Sequence, residues 1–139
     1  MASAQEVYVQ NKRGQIGALW HGTDPEFFGG GACHIFALEL YRKYRYPLWL
    51  VENEHGQISH VYCIRRGQPF DVTAGRENLS YPCHRYPGTP RSTTEEELIS
   101  LFTGDNLDAW RYGLWGDPDF VAKATERAKR CIENPEYAP

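Results

Sequence analysis

The sequence predicts a single α+β domain, and three observations carry that prediction. A run of good helix formers, Ala32 to Arg45, stands directly behind three glycines; three segments with strand patterning follow it; and two further helix-opening signatures lie in the carboxyl-terminal third. At 139 residues the chain has room for one core and not for two. Its 41% hydrophobic and 24% charged content lies far from the composition of disordered chains.

Residues 1–31 are rich in turn formers and end in Gly29-Gly30-Gly31, with Asp24-Pro25 beginning a turn or a short helix. The next stretch, from Ala32, holds the surest helix, supported by a Glu39/Lys43 pair at i, i+4. Steps of 100° put Cys33, Phe36, Ala37, Leu40 and Tyr44 on one face and spread Ile35, Leu38 and Tyr41 round the rest, so the helix is expected to be central and largely buried. Pro47 stops it. Strands are predicted over Leu48–Glu52, Ile58–Arg65 and Pro69–Thr73, joined by the glycine-bearing hairpin connections Glu54-His55-Gly56-Gln57 and Arg66-Gly67-Gln68 as an antiparallel meander. Clustered proline and glycine make 74–91 a loop. Thr93 and Glu96, three apart, read as a capping box opening a helix to about Phe102. Asp117-Pro118 opens a last helix to about Glu133, with Phe120, Val121, Ala124, Ala128 and Cys131 on its apolar side.

Cys33 stands in the first turn of the predicted central helix. The free backbone N–H groups and the positive end of the helix dipole favour the nucleophilic thiolate there. The preceding glycines, Gly31 among them, allow a substrate backbone to approach closely, and the Cys33 N–H can help to hold an oxyanion. A free cysteine often only fills space, so this residue alone does not decide. His60 falls in the second strand, where alternation groups it with Ile58, Tyr62 and Ile64. Asp71 falls in the third, between Phe70 and Val72, an awkward place for a carboxylate without a partner. Paired as a hairpin, these strands set Asp71 beside His60, where it can hold the imidazole tautomer that accepts a proton from Cys33.

Gly31-Ala32-Cys33-His34-Ile35-Phe36-Ala37 resembles the Gly-x-Cys-x-x-Phe-Ala start of the catalytic helix in papain-like cysteine enzymes. The order Cys33, His60 and Asp71-Val72-Thr73, with a strand after Pro47, is similar to the compact transglutaminase-like branch of that superfamily. The resemblance covers about residues 29–75. It implies a papain-like core with the Cys-bearing helix on an antiparallel sheet and a Cys33-His60-Asp71 triad. The implied function is thiol-dependent amide hydrolysis, as a peptidase, an amidase or a protein glutamine deamidase, through an acyl-enzyme on Cys33. Transglutaminase-type acyl transfer, or a catalytically silent protein-binding module on the same fold, are the alternatives. Two departures stand out. An aromatic usually follows the His in this branch, and here Val61 precedes Tyr62; papain-like proteases carry a Gln six residues before the Cys, and here that position is Phe27. Trp20, Gln15 and His21 are the upstream candidates for a second oxyanion donor, Trp20 first among them because some transglutaminases use an indole in this way.

Cys33-His34, His60-x-x-Cys63 and Cys83-His84 hold enough soft ligands for zinc, but His60 and Cys63, at an odd separation, point to opposite faces of one strand. No metal or other cofactor is expected. The net charge of −3 supplies no basic excess for nucleic acid, and no apolar stretch approaches the length of a membrane span. The start of the chain has no signal-like pattern. A cytoplasmic protein with free thiols is expected, acting on a protein or peptide amide either as a delivered bacterial or phage effector or as a housekeeping hydrolase. Oligomeric state is not legible in the sequence.

Overall fold

A computed structural model describes residues 23–29, 32–72, 88–103 and 118–139. The elements in chain order are α1 (Asp24–Gly29), α2 (Cys33–Tyr44), β1 (Leu48–Glu52), β2 (Ile58–Arg65), β3 (Gln68–Phe70), β4 (Thr89–Ser92), α3 (Glu95–Thr103), α4 (Pro118–Cys131) and a 3-10 turn (Pro135–Tyr137). The four strands form one antiparallel sheet in the order β3-β2-β1-β4. Helix α2 lies between the β1/β2 part of that sheet and helices α1 and α4.

The central helix forms because its sequence is apolar on nearly every side, and every residue from His34 to Leu40 is buried. Arg45 ends it from outside, in the left-handed conformation (φ 62°), donating its N–H to the Tyr41 carbonyl at 2.8 Å. Glu39 is buried within this helix and pairs with Arg42 at 2.5 Å rather than with Lys43, whose ammonium lies over the Tyr44 ring. A buried carboxylate is stabilised best by a guanidinium, and Arg42 also reaches Glu95 of α3 at 2.6 Å.

The meander of β1, β2 and β3 forms as the hairpin connections predict. Arg66 and Gly67 both take positive φ (54° and 77°), as a two-residue turn matched to strand twist requires. In the β1–β2 connection the Asn53 side-chain oxygen accepts from the backbone N–H groups of His55 and Gln57, both at 2.9 Å. Strict alternation along β2 does not hold: Val51 pairs with His60 but Glu52 pairs with Ile58, so the register slips at Ser59. This bulge lets Ile58 join Val61 and Cys63 in the core, although the alternation groups it with His60.

Four expectations shift. The third strand stops at Phe70, and Asp71 and Val72 continue as a bend and a turn, because it is the Asp71 side chain rather than its backbone that connects to β2. The predicted loop yields a strand at its end, β4, in which Pro90 faces Val51; proline is tolerated there because β4 is an edge strand. Gly88 precedes it with φ 139°, and a side chain there would collide with the Glu52 backbone. The α3 cap lies one residue later than Thr93/Glu96: Thr94 Oγ1 accepts the Glu97 N–H at 3.1 Å, and Thr93 Oγ1 donates to the Glu97 carboxylate. Helix α4 ends at Cys131, two residues before the expected limit, with Ala124 and Ala128 fully buried. The side chain of Phe120 lies outside the described residues, as does Thr73.

Candidate active site

The arrangement is built from three places in the fold. Cys33 occupies the first position of α2, where a backbone N–H has no partner within its own helix, and its side chain is half-buried. His60 comes from β2 at the bulge and is 1% exposed. Asp71 follows β3 directly and is also buried.

His60 Nε2 lies 2.8 Å from Asp71 Oδ2. A carboxylate can only accept, so Nε2 carries the proton, and Cys33 is the other side chain that acts electrostatically on this ring. Burial opposes protonation of His60, but its interactions with Cys33 and with the hydrogen-bonded Asp71 carboxylate outweigh it and raise its pKa to about 9. Tyr62, two residues along the strand, sets its ring parallel to the imidazole, 6.1 Å between centroids. That ring stands beside the histidine although Val61 intervenes in the sequence.

The other cysteines and histidines have different surroundings. Cys63 is buried and donates its thiol to the Ala37 carbonyl at 3.4 Å, and burial pushes its pKa up. Cys131 packs at the edge of the core, and burial, with the negative charge of Asp24, pushes its thiol up to about 12. His55 is exposed in the β1–β2 turn beside Glu54. His34 turns from the Cys33 position into the core and stacks on Phe102, 3.8 Å between centroids with planes 3° apart. Burial alone lowers its pKa to about 3, so it is neutral in the folded state. The unfolded chain takes up a proton near pH 6.5 that the folded chain refuses until about pH 3, so this site removes stability as pH falls through that window. The expected slope is about 1.4 kcal/mol per pH unit, and His34→Phe should flatten it in denaturant melts compared between pH 6.5 and 4.5. His60 has the opposite sign: its contribution is present below pH 6.5 and fades as pH rises through about 9.

Phe27, at the position where papain-like proteases carry their oxyanion Gln, is fully buried, with the Arg127 guanidinium 4.5 Å above its ring. It is a core residue. Trp20, Gly31, Gln15 and His21 lie outside the described residues, as do Cys83 and His84. Sequence reasoning overlooked the tail that packs beneath Asp71, although Asn134-Pro135 is a readable start signal: the Asn134 side chain caps the 3-10 turn, with proline in its first position. No helix among the described residues is long and apolar enough to cross a membrane. Comparison with protein-family models, with curated proteins and with solved structures returned no match to this chain.

Proposed function

We propose that the protein is a thiol-dependent amide hydrolase with Cys33 as nucleophile, His60 as general base and acid, and Asp71 as the group that orients and charges His60. One observation carries this reading: the buried His60 ring is held at Nε2 by Asp71 at 2.8 Å and is within the electrostatic influence of a half-buried cysteine at the start of a helix. In the proposed cycle Cys33 passes its thiol proton to His60 as Sγ attacks the amide carbonyl carbon, while the carbonyl oxygen takes up the negative charge near the helix N-terminus, where the Cys33 N–H can donate to it. The C–N bond breaks as His60 passes its proton to the leaving nitrogen, leaving a thioester on Cys33. Water then attacks the thioester, His60 takes one of its protons, and release of the acid restores the thiol and imidazole.

An iodoacetamide probe tests the premise. Cys33 alone is expected to be labelled rapidly and to be protected by competing amide substrates, while Cys63 and Cys131 react slowly because burial holds their thiols protonated. Equal labelling of all four cysteines would sink the proposal. Measuring ammonia released from glutamine peptides separates deamidation from peptide cleavage, and incorporation of an added primary amine would reassign the second step to acyl transfer.

A further inference from the structure

Asp71 stands where the sheet gives out. The last β2–β3 pair is Cys63 with Phe70, and the two residues that follow have left the strand. The Asp71 carboxylate must nevertheless stay within hydrogen-bond distance of His60, and misplacement by an ångström is enough to impair chemistry. The support comes from the far end of the chain. Tyr137 is buried, and its hydroxyl donates to the carbonyl of Val72, the residue after Asp71, at 2.9 Å. Its ring packs edge-on against Phe70, the residue before Asp71, at 5.9 Å, and against Phe36 of α2 at 5.3 Å. Both chain neighbours of Asp71 are therefore held by one side chain.

Tyr137 is itself fixed. The Tyr46 hydroxyl donates to the Tyr137 carbonyl at 2.7 Å, and Arg65 Nη1 donates to the carbonyls of Glu136 and Ala138 at 2.7 and 3.1 Å. A phenylalanine would fill the same space, so the buried hydroxyl calls for its own reason. Directing the Val72 carbonyl supplies one.

We propose that Tyr137 is a positioning residue: through the Val72 carbonyl its hydroxyl fixes the carboxylate of Asp71 against His60, an inference that rests on the triad reading above. Tyr137→Phe removes the hydroxyl and keeps the ring. In the wild-type protein the His60 Nε2 proton should resonate far downfield, and the ring should titrate above the ordinary imidazole value. Among the described residues, Asp71, Cys33 and Tyr62 face this ring. In Tyr137→Phe the titration midpoint is expected to fall by about one pH unit, the downfield proton to broaden, and Cys33 alkylation at neutral pH to slow roughly tenfold. Labelling of Cys63 should not change. A folded Tyr137→Phe with the wild-type His60 titration overturns the proposal. Should that variant fail to fold, Tyr46→Phe, which frees the Tyr137 carbonyl, replaces it; a smaller shift in the same direction is expected, and no shift overturns the proposal. If wild-type Cys33 reacts no faster than the other thiols, the triad reading fails instead, and the titration comparison still reports on whether Tyr137 holds Asp71 to His60.

Discussion

Cys33→Ala and His60→Ala are each expected to abolish turnover while leaving circular dichroism and the thermal transition close to wild type. Asp71→Asn should slow turnover by about 10²–10⁴-fold, because the orienting carboxylate sets the tautomer and stabilises the imidazolium without reacting. The losses should not add: once Cys33 is gone, removing His60 as well has little left to remove. His55→Ala serves as the control, since this histidine is exposed in a turn and should be dispensable. His34→Ala should also keep the chemistry, but it lowers stability by removing a ring stacked on Phe102 in the core. Full activity in Cys33→Ala, or activity unaffected by His60→Ala, contradicts the triad.

Phe36→Ala is expected to lower stability by about 3–5 kcal/mol, a large share of the 5–15 kcal/mol typical of a domain. Phe36 is 1% exposed and lies one turn along α2 from Cys33. Its ring meets Phe28 of α1 at 5.0 Å and Tyr137 at 5.3 Å, so its removal opens a void where the amino-terminal helix, the central helix and the tail converge. Chemical denaturation with unchanged m-value measures the loss. A change below about 1 kcal/mol would show that the surroundings collapse into the space and that these packed rings are not the support of the Cys33 helix.

Much of this architecture was legible because it rests on local rules. Apolar residues on nearly every side of Ala32 to Tyr44 led to a buried helix, and the glycines of the two connections led to the two antiparallel hairpins. Asp71 was conspicuous because a carboxylate between Phe70 and Val72 needs a partner, and the 11 residues separating it from His60 are bridged at 2.8 Å. Other features were not legible because no local pattern encodes them. The Glu39 partner depended on which cation could reach a buried carboxylate, and β4 depended on a free edge of β1 beside which Pro90 could be tolerated.

By itself, then, the sequence determined the α+β class, the burial of the central helix, the meander and the residues that converge at His60, since periodicity, turn chemistry and the aversion of charge to apolar surroundings act over a few residues. The tertiary structure alone decided how that convergence is held. The bulge at Ser59, the end of β3 before Asp71 and the reach of Tyr137 to Val72 depend on contacts between segments up to 65 residues apart. Such contacts form only when the core closes, because a hydroxyl and a carbonyl that distant in sequence gain from bonding only after packing has brought them together and removed competing water.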